Sequence, residues 1–404
     1  MRVGADDGFF QLTYCTNIHP GEGWEEVFAN LRHYAPRLRE RLAHDEPFGI
    51  GLRLSGRESR ELLEGDHLRR FKSFLDEHRL YVFTINGFPY GPFHKEPVKD
   101  AVHAPDWREE ERVRYTLRLA EILAYLLPEG EEGGISTSPL SYKPWVSSTD
   151  ARTWELLTNN VVRTAEALTR IKDREGKTIH LDIEPEPDGL LENSEEVVRF
   201  YEEWLLADGA GWLAESSGLP VDEACARLLD HVRICLDTCH MSVAYEEPER
   251  VLDRFAETGV RVGKVQISSA LKLMLPDGAK RRAELEGSLR PFAESTYLHQ
   301  IVQRNQDGSF RQYPDLAGNV HRIYDLEADQ WRVHFHVPIF VEHYGWFLST
   351  QDDILRTFTL LEQRRFCEHL EIETYTWDVL PPDLKSDLLD SIGREYEWVR
   401  DVFA

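Results

Sequence analysis

The sequence predicts one α/β domain with the (β/α)8 TIM-barrel fold. Short β-rich runs alternate with longer amphipathic segments along almost the whole chain, and eight such strand-and-helix repeats can be counted. No low-complexity segment or linker rich in Pro, Gly or Ser divides the 404 residues, which favours a single domain over 1–404. A doubly wound open sheet shares this local pattern and is the alternative architecture.

Each predicted strand is a short apolar or β-branched run bounded by turn residues. In chain order the predicted strands are FFQLTY (9–14), FGIGLRL (48–54), LYVFTIN (80–86), GGISTS (133–138), TIHLDIE (178–184), VRICLD (232–237), VGKVQIS (262–268) and HLEIETY (369–375). Between them, segments such as EERVRYTLRLAEILAYLL repeat apolar residues at intervals of three and four, as on one helix face.

A polar, turn-rich stretch at 269–331 interrupts the repeat before the last strand. It lies between the last two strands and reads as an insertion. Because the loops after barrel strands lie at the catalytic face, we expect this insertion to form a lid over the barrel mouth.

Composition restricts the function classes. The chain has 72 acidic and 47 basic residues, a formal charge of -25, which repels phosphate backbones, so we expect no nucleic-acid partner. No stretch approaches about 18 consecutive apolar residues, and residues 1–20 lack a signal-peptide pattern, which predicts a cytoplasmic protein without a membrane segment. Five scattered cysteines predict reduced thiols.

The stretch CLDTCHMS (235–242) ends one predicted strand and enters the next turn. Asp237 and His240 suit a divalent cation bound through oxygen and nitrogen. Asp237 capping the turn, with His240 packed beside it, explains the pattern equally well. Cys235 and Cys239 do not have the spacing of a redox Cys-x-x-Cys motif, and Cys239 is a minor candidate ligand.

Polar residues also end three other predicted strands: Glu184 with Glu186 two residues on, Gln266, and the pair Glu371 and Glu373 on one strand face. A solvated acidic loop and a structural glutamine are the simpler interpretations of the first two. Acids on an apolar strand are costly unless ionised beside a partner. Because strand ends converge at a barrel mouth, the series Glu, Asp-x-x-His, Gln, Glu on four consecutive strands predicts one site.

This series resembles the metal site of the xylose isomerase-like TIM barrels. That superfamily contains sugar isomerases, ketose epimerases, hydroxypyruvate isomerases, inosose dehydratases and endonuclease IV-type DNA-repair enzymes. DTCHM and KVQIS are similar to the Asp-x-x-His-Met and His-x-Gln-Ile segments of hydroxypyruvate isomerase-like members. The resemblance implies a metal set of Glu184, Asp237, Gln266 and Glu373, with His240 as a substrate or outer ligand.

DTCH also occurs in the endonuclease IV branch, which uses three zinc ions and further histidines after its third and fourth strands. Those strands end here without histidine, and His94 in GPFHKEP is the candidate substitute. His334 and His336 in RVHFHVPIF resemble the Asp-x-His of that branch. Residues two apart in a strand point the same way, so His336 is a predicted ligand and His334 an additional one. Two solvent-facing histidines on an edge strand are the alternative.

Over nearly its whole length the sequence resembles the EboE-type metabolite traffic proteins, barrels from bacterial clusters linked to export of secondary metabolites. The signatures are LTYCTNIHPGEGWEEVF, INGFPYGPFH, STYLHQIV, VHFHVPIF and LEIETYTWDVLP. The resemblance implies a role in secondary metabolism, but it does not identify a reaction, because a fold hosts many functions.

The chemistry expected of such a site is proton transfer next to a carbonyl through an enediolate, with Glu184 and Glu373 as the acid and base across a divalent ion. Oxygen and nitrogen ligands suit Mn, Mg, Co or Zn. The predicted substrate-binding residues are His240, Lys264, Arg53 and His94, with Lys264 or Arg53 neutralising charge or a phosphate.

We therefore expect an isomerase or epimerase acting on a sugar, sugar phosphate or cyclitol-type precursor. One alternative is a phosphoesterase or endonuclease IV-like hydrolase with two or three ions. The other is a carrier that binds a metabolite without turnover. A small sugar-like molecule is the expected partner, and a homo-oligomer is compatible with the sequence.

Overall fold

A computed structural model describes residues 1–4, 8–94, 97–378, 380 and 387–404. Residues 95 and 96 of the GPFHKEP loop and residues 379 and 381 of the LEIETYTWDVLP signature lie outside this part. Within the described ranges, no helix combines the length and the apolar character needed to cross a membrane.

The strands alternate with helices in the predicted order. They are β1 (Arg2–Val3), β2 (Phe10–Tyr14), β3 (Phe48–Arg53), β4 (Leu80–Asn86), β5 (Gly133–Thr137), β6 (Ile179–Ile183), β7 (Val232–Asp237), β8 (Val262–Ile267), β9 (Leu271–Met274), β10 (Ile301–Asn305), β11 (Phe310–Tyr313), β12 (Ala328–Val333), β13 (His343–Tyr344), β14 (Phe347–Ser349) and β15 (His369–Ile372). All eight predicted barrel strands are confirmed. The largest difference is at the last, predicted to residue 375 and observed to Ile372.

Eight parallel strands form a closed barrel. Their order is β2, β15, β8, β7, β6, β5, β4 and β3, with β1 added antiparallel to β2. The ring closes between β2 and β3, where Cys15 and Gly51 form a parallel bridge. The Thr13 hydroxyl also donates to the Gly49 carbonyl at 2.9 Å. This closure excludes the doubly wound open sheet.

Helices cover the outside of the barrel. They are α1 (Trp24–Leu42), α2 (Gly56–Leu63), α3 (His67–Glu77), α4 (Glu110–Leu126), α5 (Ala151–Glu175), α6 (Ser194–Phe200), α7 (Ala210–Ser217), α8 (Val221–His231), α9 (Thr238–Val243), α10 (Pro248–Thr258), α11 (Ala279–Leu289), α12 (Gln351–Arg364) and α13 (Leu388–Val402). Local signals set their ends. Ser55 and Glu58 form a capping box on α2, and α10 starts at Pro248, whose missing N–H needs no partner there.

A second sheet lies between β8 and β15. It has six antiparallel strands in the order β11, β10, β12, β9, β14 and β13. This sheet runs from Leu271 to Ser349, beyond the predicted end of the insertion at residue 331. The boundaries of a separate unit and a lid function stay predictions. The sheet nevertheless places β12 so that its C-terminal end leads directly to the predicted histidine pair.

The barrel interior is polar at its centre. Lys264, Glu371 and Asp182 are all fully buried inside it. Two glycines make the room they need, because a Cβ at Gly51 would lie 1.8 Å from Glu371 Oε1 and one at Gly263 would lie 1.9 Å from Asp182 Oδ1. The apolar core lies between strands and helices, and these polar side chains lead up to the strand ends that carry the predicted site.

A buried acid on α13 predicts a pH dependence of stability. Glu395 is 1% exposed, and its carboxyl accepts hydrogen bonds from Thr374 Oγ1 at 2.6 Å and from the Ile339 amide at 3.4 Å. Burial raises the pKa of Glu395 to about 8. An unfolded Glu titrates at about 4.3, so its stabilising contribution is complete below that pH and is lost as the pH rises to about 8.

Glu395→Gln keeps the acceptor oxygen and removes this titration. We expect the free energy of unfolding of the variant, relative to that of the parent, to increase by up to about 4 kcal/mol from about pH 5 to about pH 8.5. Urea unfolding at both pH values measures this difference, with the exposed Glu362→Gln as the control. A difference that stays constant across the range would contradict the assignment.

Candidate metal centre

The ends of three barrel strands bring three predicted acids together. Asp237 ends β7, Glu184 follows β6, and Glu373 follows β15. One carboxylate oxygen from each lies within 4.8 Å of the other two. The three residues are 0%, 2% and 4% exposed. Three acids this close and this buried repel one another strongly, so the cluster favours a positive charge at its centre.

Asp237 caps the turn and is also placed for the second role that the sequence left open, that of a metal ligand. Its Oδ1 accepts hydrogen bonds from the Cys239 amide at 2.7 Å and the His240 amide at 3.1 Å, which caps α9. The Ser268 hydroxyl donates to the same oxygen. Its Oδ2 is buried and has no hydrogen-bond partner among the described residues. One oxygen therefore holds the helix while the other faces the site.

Gln266 lies beside these acids but presents its nitrogen to them. Its Nε2 donates to Glu184 Oε1 at 3.4 Å, while its Oε1 accepts from the Cys235 thiol at 3.1 Å. An amide nitrogen has no lone pair to give to a cation. In this orientation Gln266 steadies a carboxylate, and a role as metal ligand, which would need its Oε1, stays a prediction.

Three imidazoles meet next to the acids. His240 Nε2 lies 3.1 Å from His334 Nε2, which lies 3.3 Å from His336 Nε2. His240 Nε2 is also 3.9 Å from Asp237 Oδ2. His334 and His336 are 6% and 0% exposed, so they are not solvent-facing residues of an edge strand. The structure joins the predicted pair to the predicted Asp-x-x-His motif.

The second nitrogen of each ring fixes its tautomer. Nδ1 of His240 contacts the Pro185 carbonyl at 3.1 Å, and Nδ1 of His336 contacts the Glu373 carbonyl at 2.9 Å. Nδ1 of His334 contacts Gln300 Oε1 at 2.8 Å, and the Gln300 amide nitrogen donates to Pro187, which leaves that oxygen as an acceptor. A carbonyl oxygen only accepts, so each Nδ1 carries a proton and donates it.

The remaining Nε2 atoms therefore point lone pairs at one another. Burial lowers the pKa of His240 to about 4 and the pKa of His334 well below its ordinary value, so neither ring carries a second proton at neutral pH. Two ligands each about 2.1 Å from a tetrahedral ion lie about 3.4 Å apart. The separations of 3.1 and 3.3 Å fit that spacing, and a backbone-held Nδ1 is the usual support of a metal-binding histidine.

The three acids also favour a bound cation. Burial, followed by repulsion from Glu373 and Asp237, raises the pKa of Glu184 well above its ordinary value. Burial also raises the pKa of Glu373. Glu184 Oε2 has no hydrogen-bond partner within the described ranges. Carboxylate oxygens and imidazole nitrogens without thiolate fit a divalent ion such as Zn, Mn, Co or Mg.

Four functional candidates escaped the sequence prediction or were left unassigned. His103 Nε2 lies 3.2 Å from Glu186 Oε1, and both residues line the pocket over the acids. Asn17 and Asn86 donate to Glu373 Oε1 at 2.7 and 3.0 Å. Asn86 ends a predicted strand, so its position at a strand end could have identified it. His103 lies in a short loop helix, where no sequence pattern marks it.

Three predicted substrate-binding residues do not line this pocket. Lys264 is fully buried, donates to Ser136 Oγ at 3.1 Å and pairs with Glu371. Arg53 pairs with Glu58 at 3.2 Å and donates to backbone carbonyls of the loop after β4. His94 contacts the Asn17 carbonyl. Their main contacts lie within the protein, although Arg53 Nε has no hydrogen-bond partner among the described residues, so substrate binding by these three residues stays a prediction.

The cysteines have different positions relative to the centre. Cys239 is buried, and its Sγ and one ring nitrogen each of His334 and His336 lie within 4.8 Å of one another, close enough to share a metal ion. Burial raises the pKa of the Cys239 thiol well above its ordinary value, which keeps it protonated without a metal. Cys235 uses its thiol to hold Gln266. No disulfide joins the five cysteines, all of which lie in the described ranges.

Neither a protein-family model nor a curated protein matches this sequence. Among solved structures, a zinc-bound IOLI protein shares 11% identity, with 97% of this chain and 98% of that chain covered and a TM-score of 0.48. The probable 3-DHS dehydratase AsbF of Bacillus anthracis shares 12%, with 96% and 98% covered and a TM-score of 0.43. A xylose isomerase-like TIM barrel protein from Mycobacterium smegmatis, in complex with magnesium, shares 12%, with 93% and 88% covered and a TM-score of 0.47.

All three TM-scores lie below 0.5, so the barrel assignment rests on the strand pairing and the closure between β2 and β3. The likeness to EboE-type proteins stays a prediction.

Proposed function

We propose that this chain is a metal-dependent isomerase or epimerase that moves a proton next to a carbonyl group of a small hydroxylated substrate. The observation that carries the proposal is the convergence of three carboxylates and three Nε2 lone pairs at one barrel mouth. The donor set fits a divalent cation. When bound, such a cation polarises a substrate oxygen and stabilises negative charge that develops on it.

The acids around this centre supply the proton chemistry. Glu184 Oε2 is free of hydrogen bonds in the described part of the chain and is our candidate for the base that removes the proton from carbon. Glu373 returns a proton, and the amides of Asn17 and Asn86 fix its orientation. The pair of His103 and Glu186 faces the same pocket and is placed to bind or protonate a substrate hydroxyl.

A hydrolase is the second candidate, favoured by the number of ligand groups. His240, His334 and Glu186 form one group, while Glu184, Asp237 and Glu373 form another. Two ions held side by side are the usual arrangement for displacement at phosphorus. His94 does not join either group in the described structure, so the three-ion site of the endonuclease IV branch lacks that substitute.

Ion content and proton exchange separate these functions. Protein purified without chelator is analysed for metals, then incubated in deuterated water with a panel of ketoses, hydroxyaldehydes and bis-p-nitrophenyl phosphate. The isomerase proposal predicts about one ion per chain and deuterium incorporated next to a carbonyl. Two ions and release of p-nitrophenol would favour the hydrolase. Bound metal without either reaction would favour the carrier, and absence of metal would overturn the proposal.

A further inference from the structure

We infer that the substrate of this site is amphiphilic: a hydroxylated head faces the metal centre and an apolar or aromatic tail lies against the outer wall of the same pocket. The inference rests on the proposed function and deepens it by naming the class of substrate. It departs from a sugar phosphate, which the sequence left open.

The pocket has two chemically different ends. Acids, imidazoles and amides form its floor. Its outer wall is a separate hydrophobic cluster of Phe93, Val98 and Tyr297, with Val102 and Tyr375 packed against it. Pockets that take small molecules combine such apolar walls with a few placed polar groups. The apolar residues of this wall pack against one another as one cluster.

The aromatic rings of this wall form one continuous surface. The ring centroids of Phe93, Tyr297 and Tyr375 lie 5.0 to 5.3 Å from one another. The Tyr297 hydroxyl donates to the Phe93 carbonyl at 3.1 Å, so its polar atom is turned into the protein. Tyr375 continues the surface to the metal centre, since its ring centroid lies 4.6 Å from that of His336. The tail of a substrate whose head is bound at the metal centre would therefore lie next to these rings.

The basic side chains that line this pocket offer little to a phosphate. Among its described lining residues, Lys99 is the only lysine or arginine. Its ammonium donates to the Tyr297 carbonyl at 2.6 Å, to Asp315 at 2.7 Å and to the Glu294 carbonyl at 3.4 Å. An ammonium has three donors, and all three are engaged. Phosphate sites instead present available cations or backbone amides.

Two buried arginines hold a further apolar part of the pocket in place. Phe88 and Pro89, in the loop after β4, line it. Arg112 donates to the Gly87 and Phe88 carbonyls at 2.9 and 3.0 Å. Arg53 donates to the Pro89 carbonyl at 3.4 Å. The backbone that carries Phe88 and Pro89 is therefore held before a ligand arrives, which lowers the entropy that a bound tail costs.

Three hydroxamates test the inference, because they share one metal-binding head. Calorimetry measures the binding of acetohydroxamate, phenylacetohydroxamate and phosphoglycolohydroxamate to the metal-loaded protein. We expect phenylacetohydroxamate to bind at least about tenfold more tightly than acetohydroxamate, as burial of a phenyl group would give. Phosphoglycolohydroxamate should bind no more tightly than acetohydroxamate. Phe93→Ala should reduce the phenyl preference, while Phe310→Ala, at a 55% exposed position, should keep it.

The outcomes distinguish the two proposals. Equal affinities for the phenyl and methyl compounds, or a preference for the phosphate, would overturn the inferred substrate class while leaving the metal centre intact. Protein that takes up no metal and binds none of the three compounds would overturn the proposed function itself. The parent protein alone gives these answers, so they do not depend on a folded Phe93→Ala variant.

Discussion

The double variant Glu184→Gln, Asp237→Asn is expected to lose its metal and its reaction together. Loss of one supporting hydrogen bond around a metal typically costs about 10- to 100-fold in metal affinity. Loss of a ligand should cost more, so each of the two substitutions should lower metal affinity by at least about 100-fold. Loss of the proposed base adds to this, and proton-transfer rates should fall by at least about 1000-fold. Elemental analysis and deuterium exchange measure both effects.

The same variant should remain folded. The amide introduced by Asp237→Asn would keep the oxygen that caps α9 through the backbone N–H groups of Cys239 and His240. Replacing two buried acids by amides also removes repulsion and desolvation from the metal-free protein. We therefore expect the variant to be at least as stable as the metal-free parent, but without the stabilisation that added metal gives the parent. That stabilisation is about 4 kcal/mol at a metal concentration of about 1,000 times Kd.

Glu362→Gln, Asp401→Asn is the matched control, because it removes two exposed acids and changes the net charge equally. It should keep the metal content and heat stability of the parent. A Glu184→Gln, Asp237→Asn variant with normal metal content would refute the assignment of the centre.

Lys264→Met is expected to cause a large loss in the free energy of unfolding. Although burial opposes the charged form, Glu371 holds the pKa of Lys264 well above its ordinary value. Both partners of this pair are fully buried. Removing the cation leaves the Glu371 carboxylate inside the barrel without its partner, which typically costs about 3 to 5 kcal/mol. The close approach to Gly51 leaves the carboxylate little room to move.

Urea unfolding measures this loss, and a second variant identifies its cause. Lys264→Met, Glu371→Gln removes both charges, so most of the lost stability should return. The exposed Lys280→Met should stay within about 0.5 kcal/mol of the parent. If Lys264→Met and the double variant are equally unstable, packing and not the unpaired charge explains the effect.

The barrel and part of its site follow from local sequence patterns. The barrel strands are short apolar runs, several with polar residues at or just after their ends, and parallel strands place those ends together. Strand ends alone predicted that Glu184, Asp237 and at least one of Glu371 and Glu373 meet, and the family resemblance pointed to Glu373. His334 and His336 were predicted as neighbours on one strand face, whereas the structure places both just after β12 ends at Val333 and still brings their Nε2 atoms within 3.3 Å.

Other features needed three-dimensional information. The insertion was predicted, but its six-stranded sheet was not, because the strands are short and carry many polar residues, as in ADQWRV of β12. The role of Gln266 depends on which end of its amide faces the acids, and a neighbouring thiol decides that. Lys264 is a buried partner of Glu371 because β8 and β15 are neighbours, a pairing distant in sequence.

The course of the inserted segment has a consequence for how this barrel can be re-engineered. Gln300, which orients His334, and Tyr297, which lines the apolar wall, lie on the same segment as the histidine pair. Part of the proposed metal centre and part of the proposed apolar wall therefore lie on one piece of chain. Grafting or shortening that piece would alter both at once. Substrate range should therefore be redesigned from the loop after β4, which contributes Phe88 and Pro89 but none of the three histidines.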